Sequence, residues 1–310
     1  MRILFMGTPD FALPTLKALC ETGHEIVGAI TQPDKPKGRG HHMMPPPIKV
    51  FAMEQGIPVY QPATLKGDEF ASLLAKLDPE LIVVVAFGKI LPVNVLEYPK
   101  YGCVNVHGSL LPEYRGAAPM QRAIIDGKTV TGITTMMMAA GLDTGDMLLK
   151  AEVEIGENDN FEVIHDRLAE CGAKLLTETV EKLEAGDIVP EKQNDRLATY
   201  AAKIEKSDCL LDFSKNAKTL HDLIRGLSPI PLSFTHTPDG RLLKVVESRV
   251  EKADGSYAAA GTVISVGNDI KVACGEGVLS LLSVVPEGKG RMSAADFVRG
   301  RKIAEGDILA

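Results

Sequence analysis

An amide and an imidazole stand two residues apart in Val104-Asn105-Val106-His107-Gly108-Ser109-Leu110-Leu111-Pro112. A carboxylate follows about three dozen residues later, in Gly141-Leu142-Asp143-Thr144-Gly145-Asp146. On a strand, residues two apart share a face, so Asn105 and His107 point one way while Val104 and Val106 point into a core. A loop that returns Asp143 to the imidazole completes a trio suited to moving an acyl group onto an amine. The amide donates to a developing oxyanion, the imidazole moves a proton, and the carboxylate orients and charges the imidazole. A satisfied polar pair on a strand is the other reading of Asn-x-His, and the triplet alone does not choose between them.

The elements that must hold this trio are legible as an alternation of strand-like and helix-like segments. Residues 2–6 form a short apolar run, 13–21 carry helical spacing, and 25–31 read as the next strand. Residues 48–55 and 70–77 read as helices, with a strand at 57–60 between them. Leu81-Ile82-Val83-Val84-Val85-Ala86 is a continuous apolar run of the kind found in strands covered on both faces. The alternation predicts an α/β unit, a doubly wound, Rossmann-like parallel sheet with helices on both sides, whose ligands bind beyond the C-terminal strand ends. Gly7-Thr8-Pro9, Phe87-Gly88 and His107-Gly108-Ser109 all fall at such ends. Gly7-Thr8-Pro9-Asp10 is not a GxGxxG fingerprint, so no dinucleotide is expected there.

Residues 159–186 carry the clearest helical signal, with Asp159 or Asn160 as cap and Gly186 as stop. The following stretch is polar, contains Pro190 and lacks a strong apolar period, and reads as a linker. Beyond it, one helix at 214–226 precedes alternating β patterns at 232–237, 242–250, 262–266, 270–273 and 278–285, with a closing helix at 293–298. Short strands separated by Gly-rich turns suggest a small OB-like β-barrel. The predicted organisation is a catalytic domain over 1–188, a linker over 189–206 and a C-terminal β-barrel domain over 207–310.

Composition narrows the function classes. Hydrophobic residues make up 45% and charged residues 24% of the 310, the balance of a globular protein. No apolar run is long enough for a membrane span, and a strand begins at Arg2, so a cytoplasmic protein is expected. The five cysteines, Cys20, Cys103, Cys171, Cys209 and Cys274, form no CxxC, which argues against a disulfide framework and a structural zinc site. Net charge is −7, unevenly spread: residues 203–310 hold 15 Lys/Arg against 14 Asp/Glu, and residues 1–202 hold 19 against 27. Any nucleic-acid contact must therefore come from local patches. No coiled-coil seam is visible, and a monomer is expected.

The run from Asn105 to Pro112, then Tyr114-Arg115-Gly116-Ala117-Ala118-Pro119, then Gly141-Leu142-Asp143-Thr144-Gly145, resembles the folate-dependent formyltransferases. The resemblance implies that Asn105, His107 and Asp143 carry the chemistry and that 10-formyltetrahydrofolate is the donor, with no metal required. It implies a folate pocket that includes Ser109, Leu110, Leu111 and Pro112, with Phe87, Gly88 and Gly141 around the pterin.

A second signature separates branches of that family. Residues 32–49 form a long Pro/Gly-rich insertion with Lys35, Lys37 and Arg39 ahead of His41 and His42. A connection this long inside an α/β unit is functional or disordered. Gln32-Pro33-Asp34, Gly38-Arg39-Gly40 and Met44-Pro45 resemble the inserted loop of the members that act on methionyl-tRNA. The resemblance implies a basic arm, with Arg39 reaching phosphate, and the α-amine of initiator methionyl-tRNA as acceptor. His41 and His42 stand where that group usually has lysines. Arg225-Gly226-Leu227-Ser228-Pro229-Ile230-Pro231 replaces a segment that usually includes Trp, and this chain has none. A hydrolase of formylfolate, a formyltransferase acting on glycinamide ribonucleotide or a nucleotide sugar, and a non-catalytic binding module remain the alternatives.

Overall fold

The computed structural model describes residues 1–37, 42–300 and 302–310. In chain order the first elements are β1 (Arg2–Gly7), α1 (Leu13–Cys20), β2 (Glu25–Ile30), β3 (Lys35–Lys37), β4 (His42–Met44), α2 (Pro47–Glu54), β5 (Val59–Tyr60), α3 (Asp68–Leu77), β6 (Leu81–Val85), α4 (Val93–Leu96) and β7 (Cys103–His107). Then come β8 (Arg115–Gly116), α5 (Pro119–Ile125), β9 (Val130–Met137), β10 (Met147–Glu154), α6 (Phe161–Ala185), β11 (Tyr200–Ala201) and α7 (Ala217–Leu227). The chain closes with β12 (Ser233–His236), β13 (Leu242–Lys252), β14 (Val263–Val266), β15 (Ile270–Ala273), β16 (Val278–Pro286), β17 (Met292–Ser293) and α8 (Ala294–Arg299). Two compact units result. One holds Met1–Gly116, Thr131–Val153 and His165–Tyr200; the other holds Ala117–Val130, Glu154–Ile164 and Ala201–Ala310.

The first unit is built on a seven-stranded sheet of order β10-β9-β7-β6-β1-β2-β5. β1 pairs in parallel with β2 and β6, β2 with β5, and β6 with β7. Every residue of β6 is buried, as its unbroken apolar run predicts for a strand covered on both faces. The expectation of an all-parallel sheet is corrected at one edge, because β9 runs antiparallel to β7 and makes the sheet mixed. Side-chain alternation reads the same in either strand direction, so the sequence pattern carries no sign of this reversal. Gly132 suits the crowded edge: a Cβ there would lie 2.2 Å from the Ala151 carbonyl oxygen. The chain leaves β1 toward β2 on one side and places β6 on the other, which opens a crevice beyond the C-terminal ends of these strands.

Two local signals act as read. Asn160 accepts the Val163 N–H at 3.0 Å and caps α6, and Gly186 follows the helix at φ 73°. The inserted loop contains something its Pro/Gly content does not announce. Its described ends, β3 and β4, pair as an antiparallel hairpin with Lys35 opposite Met44. At its base Lys49 Nζ reaches both oxygens of Asp34 at 2.9 Å, and the Gln61 amide donates to Asp34 and to the Gln32 carbonyl.

The second unit carries an antiparallel sheet of order β12-β13-β16-β15-β14, with β17 paired to β16. Its core joins Leu220 and Ile224 of α7, Leu243 and Val245 of β13, Leu279 and Leu281 of β16, and Phe297 of α8. α7 is apolar on one side only, which is what lets it lie on this sheet. Gly226 brings α5 against α7: a Cβ at that position would lie 2.7 Å from Ile125 Cγ1 and 3.2 Å from the Gln121 carbonyl. A buried ion pair lies on the same helix, with Arg225 Nε 2.7 Å from Asp222 Oδ1 and both side chains 5% exposed. The guanidinium also donates to the carbonyls of Gly156 and Asp159, tying residues 154–164 to α7.

Candidate active site

β7 sorts its residues by alternation. Gly172 of α6 faces Val106, whose Cγ1 would lie 3.0 Å from a Cβ at the glycine, and Val104 and Val106 are buried. Asn105 and His107 therefore take the opposite face, as the two-residue spacing predicts. His107 is 6% exposed and Asn105 half-buried. The His107 ring is hydrogen-bonded at one nitrogen and faces a carboxylate with the other. Nε2 lies 3.0 Å from the Tyr114 carbonyl, and Nδ1 lies 3.7 Å from Asp143 Oδ2. A carbonyl only accepts, so Nε2 carries the proton of the neutral ring and Nδ1 presents a lone pair toward Asp143.

Asp143 sits on the loop between β9 and β10 at φ 50°, a left-handed conformation that Asp tolerates better than most residues. Its Oδ2 accepts the Gly116 N–H at 2.9 Å, which fixes the carboxylate against the imidazole. Burial pushes the His107 pKa down. The Asp143 charge and the Tyr114 hydrogen bond pull it up, and burial wins. The upward pull expected of Asp143 is thus present but outweighed, and at neutral pH the ring is uncharged and able to accept a proton at Nδ1.

Around this pair the strand ends converge. The Gln32 side chain donates to the Phe87 carbonyl at 3.1 Å, and Gln32 N donates to Thr8 Oγ1 at 3.2 Å. Phe87 is buried in the core, whereas Ala86 at φ 47° and Gly88 at φ 78° flank it in left-handed conformations and are exposed. Ser109 is fully buried, and its hydroxyl donates to the Glu113 carbonyl at 2.6 Å. Leu111 packs with Met136 and Met147, while Leu110 and Pro112 are half-buried. Gly141 and Leu142 are exposed beside Asp143. Lys35 is exposed on β3, Lys37 ends that strand, and Arg39 lies outside the described residues.

Residues 1–180 match the family described as "Formyl transferase", and residues 203–302 match "Formyl transferase, C-terminal domain". The chain belongs to the formyl transferase family. This formyl transferase is 50% identical to the methionyl-tRNA formyltransferase of Citrifermentans bemidjiense over all 310 of its residues and 96% of that relative. It is 49% identical to the enzyme of the same name from Bacillus subtilis, over 99% of this chain and 97% of that one. Its fold is similar to that of an N-formyltransferase from Helicobacter canadensis, solved with folinic acid and dTDP-3-aminofucose. The TM-score there is 0.70 at 17% identity, covering 91% of this chain and 98% of that one.

Arg115 belongs to the string that the formyl transferase shares with its family, but its sequence context gives it no role, and Gln193 carries no signal at all. Arg115 is 2% exposed and donates from Nε to Gln193 Oε1 at 2.9 Å and from Nη2 to Asp195 at 2.8 Å. Gln193 Nε2 in turn donates to the carbonyls of Asp143 and Gly145. Gln193 lies in the stretch read as a linker, where polarity and Pro190 give no hint of a buried partner. Cys103, on the Asn105 side of β7, packs in the core with its thiol against the Val95 carbonyl, and burial pushes its pKa to about 12. Among the described residues no group of three or more His, Cys, Asp and Glu side chains is arranged to hold a metal, and no helix is long and apolar enough to cross a membrane.

Proposed function

We propose that this formyl transferase moves the formyl group of 10-formyltetrahydrofolate onto the α-amino group of initiator methionyl-tRNA, giving N-formylmethionyl-tRNA for translation initiation. The observation that carries this reading is the full-length identity of about half to relatives that bear that name, with His107 and Asp143 paired beside Asn105.

In this reading the amine attacks the formyl carbon, and the Asn105 amide donates to the carbonyl oxygen as it becomes an oxyanion. No hydrogen bond ties that amide to another described residue, which leaves it free to do so. His107 takes the amine proton at Nδ1 as the new C–N bond forms. It delivers a proton to the leaving folate nitrogen as the old C–N bond breaks. Asp143 faces the imidazolium in the interval and stabilises its charge. The exposed turn at Ala86 and Gly88 offers backbone groups to a flat ring edge. Gly141, and the 109–112 turn next to His107, complete the folate site. A polar heterocycle suits backbone donors and acceptors of this kind.

Lys35, Lys37 and Arg39 contact the acceptor end of the tRNA, and the C-terminal unit, as an OB-like barrel, adds RNA surface. The enzyme works as a cytoplasmic monomer. The test is formyl transfer to charged initiator tRNA at two salt concentrations, with wild type, Asn105→Ala and Arg39→Ala side by side. Loss of one oxyanion donor raises a barrier by about 2.7–4 kcal/mol, so Asn105→Ala is expected to be nearly inactive. Arg39→Ala is expected to weaken tRNA use with a shallower salt dependence. Release of formate without formylation of tRNA would overturn the acceptor assignment.

A further inference from the structure

We infer that Gln193 is a positioning residue for formyl transfer: its carboxamide ties the buried Arg115 to the loop of Asp143 and keeps that carboxylate turned toward His107. The inference rests on the roles proposed for Asn105, His107 and Asp143.

The orientation of the Gln193 amide is decided by its partners. A guanidinium only donates, so the oxygen faces Arg115 Nε at 2.9 Å. Carbonyls only accept, so the nitrogen faces Asp143 O at 2.8 Å and Gly145 O at 2.7 Å. Both hydrogens of the amide are spent on one loop, on the residue before and the residue after Thr144.

The contacts close a ring. Tyr114 holds His107 through its carbonyl, and Gly116 holds Asp143 through its N–H. Arg115, the residue between them, carries the side chain that holds Gln193. The same chain segment secures Tyr114 a second time, since Tyr114 N donates to Thr199 Oγ1 and Arg115 N to the Thr199 carbonyl. Residues 193–199 therefore brace both partners of the His107–Asp143 pair.

The loop needs such a brace. Asp143 is held at φ 50°, a left-handed conformation that still costs an Asp some energy although less than most L residues. A Cβ at Gly145 would lie 1.7 Å from the Met137 carbonyl, so that side of the loop is already pressed against β9. Without the two hydrogen bonds from Gln193 only the Gly116 N–H still restrains the Asp143 carboxylate, and the loop can relax away from the ring.

Gln193→Glu separates bracing from mere filling of space. A glutamate still accepts from Arg115, so the buried cation stays paired, but its carboxylate presents no donor to the two carbonyls. The expected result is a folded protein with a modestly lower melting temperature, kcat lower by about 10- to 100-fold, and KM for both substrates within about twofold. Gln193→Met adds no charge and reads the same loss through pH. The ionised group facing His107 is Asp143, and the other nitrogen faces only the neutral Tyr114 carbonyl. With Asp143 displaced, the acidic limb of kcat/KM moves to lower pH.

Wild-type kcat in folded Gln193→Glu overturns the inference, as does a loss of rate in Gln193→Met with the acidic limb unmoved. Asn105→Ala, assayed in parallel, tests the underlying reading by itself. If that variant is as active as wild type, the site assignment fails. If it is inactive while both Gln193 variants behave as wild type, only the brace fails.

Discussion

Asp143→Asn removes a charge and leaves the geometry in place, because the new amide oxygen can still accept the Gly116 N–H. The separation of 3.7 Å between Nδ1 and Oδ2, at an effective dielectric of about 20, corresponds to about 4 kcal/mol for the charged pair. That interaction exists only when His107 is protonated, so it belongs to the stage of the reaction in which the imidazole holds the amine proton. If all of it were lost from the transition state, the rate would fall roughly 10³-fold. The Asp143 side chain is 17% exposed, and solvent screening reduces the interaction, so a loss of about 10²-fold is expected. The direction of the pH effect is also determined. His107 is pulled upward by Asp143 against the downward push of burial. Removing the upward pull lowers its pKa further, and the acidic limb of the rate moves to lower pH. The assay is the initial rate of formyl transfer at saturating donor and tRNA across that limb. A rate within a factor of about three of wild type, with the limb unmoved, would refute the coupling between Asp143 and His107.

Three further outcomes are expected. Asp222→Ala leaves the buried Arg225 guanidinium without its carboxylate, and the C-terminal unit should lose about 3–5 kcal/mol in denaturant unfolding; a loss below about 1 kcal/mol would contradict the burial of that pair. Gly226→Ala forces a methyl group to within 2.7 Å of Ile125 Cγ1, and a destabilisation of about 1–3 kcal/mol is expected from thermal melting. Equal or greater stability would show that α5 and α7 are not in close contact. Cys103, with its thiol pKa near 12, should resist alkylation at pH 8 in the native protein, whereas the half-buried Cys20 and Cys171 react first. Mass spectrometry that finds Cys103 labelled ahead of the other two would place it outside the core.

The pairing of Asn105 with His107 was legible because strand periodicity is a local property. Two residues apart means one face wherever the strand lies, and Val106 against Gly172 shows that face chosen. The same is true of α6, whose Asn160 cap and Gly186 stop are single-residue signals, and of the strand and helix spans in the second unit. The β3–β4 pairing in the inserted loop was not legible, since Lys35-Pro36-Lys37 has no strand pattern and becomes a strand only through the backbone of residues 42–44 across from it.

What the sequence alone determined is the set of chemical groups, the face each occupies on its own element, and the family string that binds them together. What only the tertiary structure decided involves partners distant in sequence. The antiparallel course of β9 is one example, because side-chain alternation has no direction. The grouping of residues 117–130 and 154–164 with the C-terminal unit is another, and it follows from contacts such as Arg225 with the Gly156 and Asp159 carbonyls. The balance at His107 is a third: an acid and a base in one motif announce an upward pull, but burial, which prevails, is a property of everything packed around the ring. Gln193 and Asp143 are 50 residues apart, and no local pattern tells a glutamine in a polar stretch that its amide will meet two particular carbonyls. Hydrogen bonds of that kind are selected by where the folded chain leaves donors and acceptors unpaired, which is known only once the fold exists.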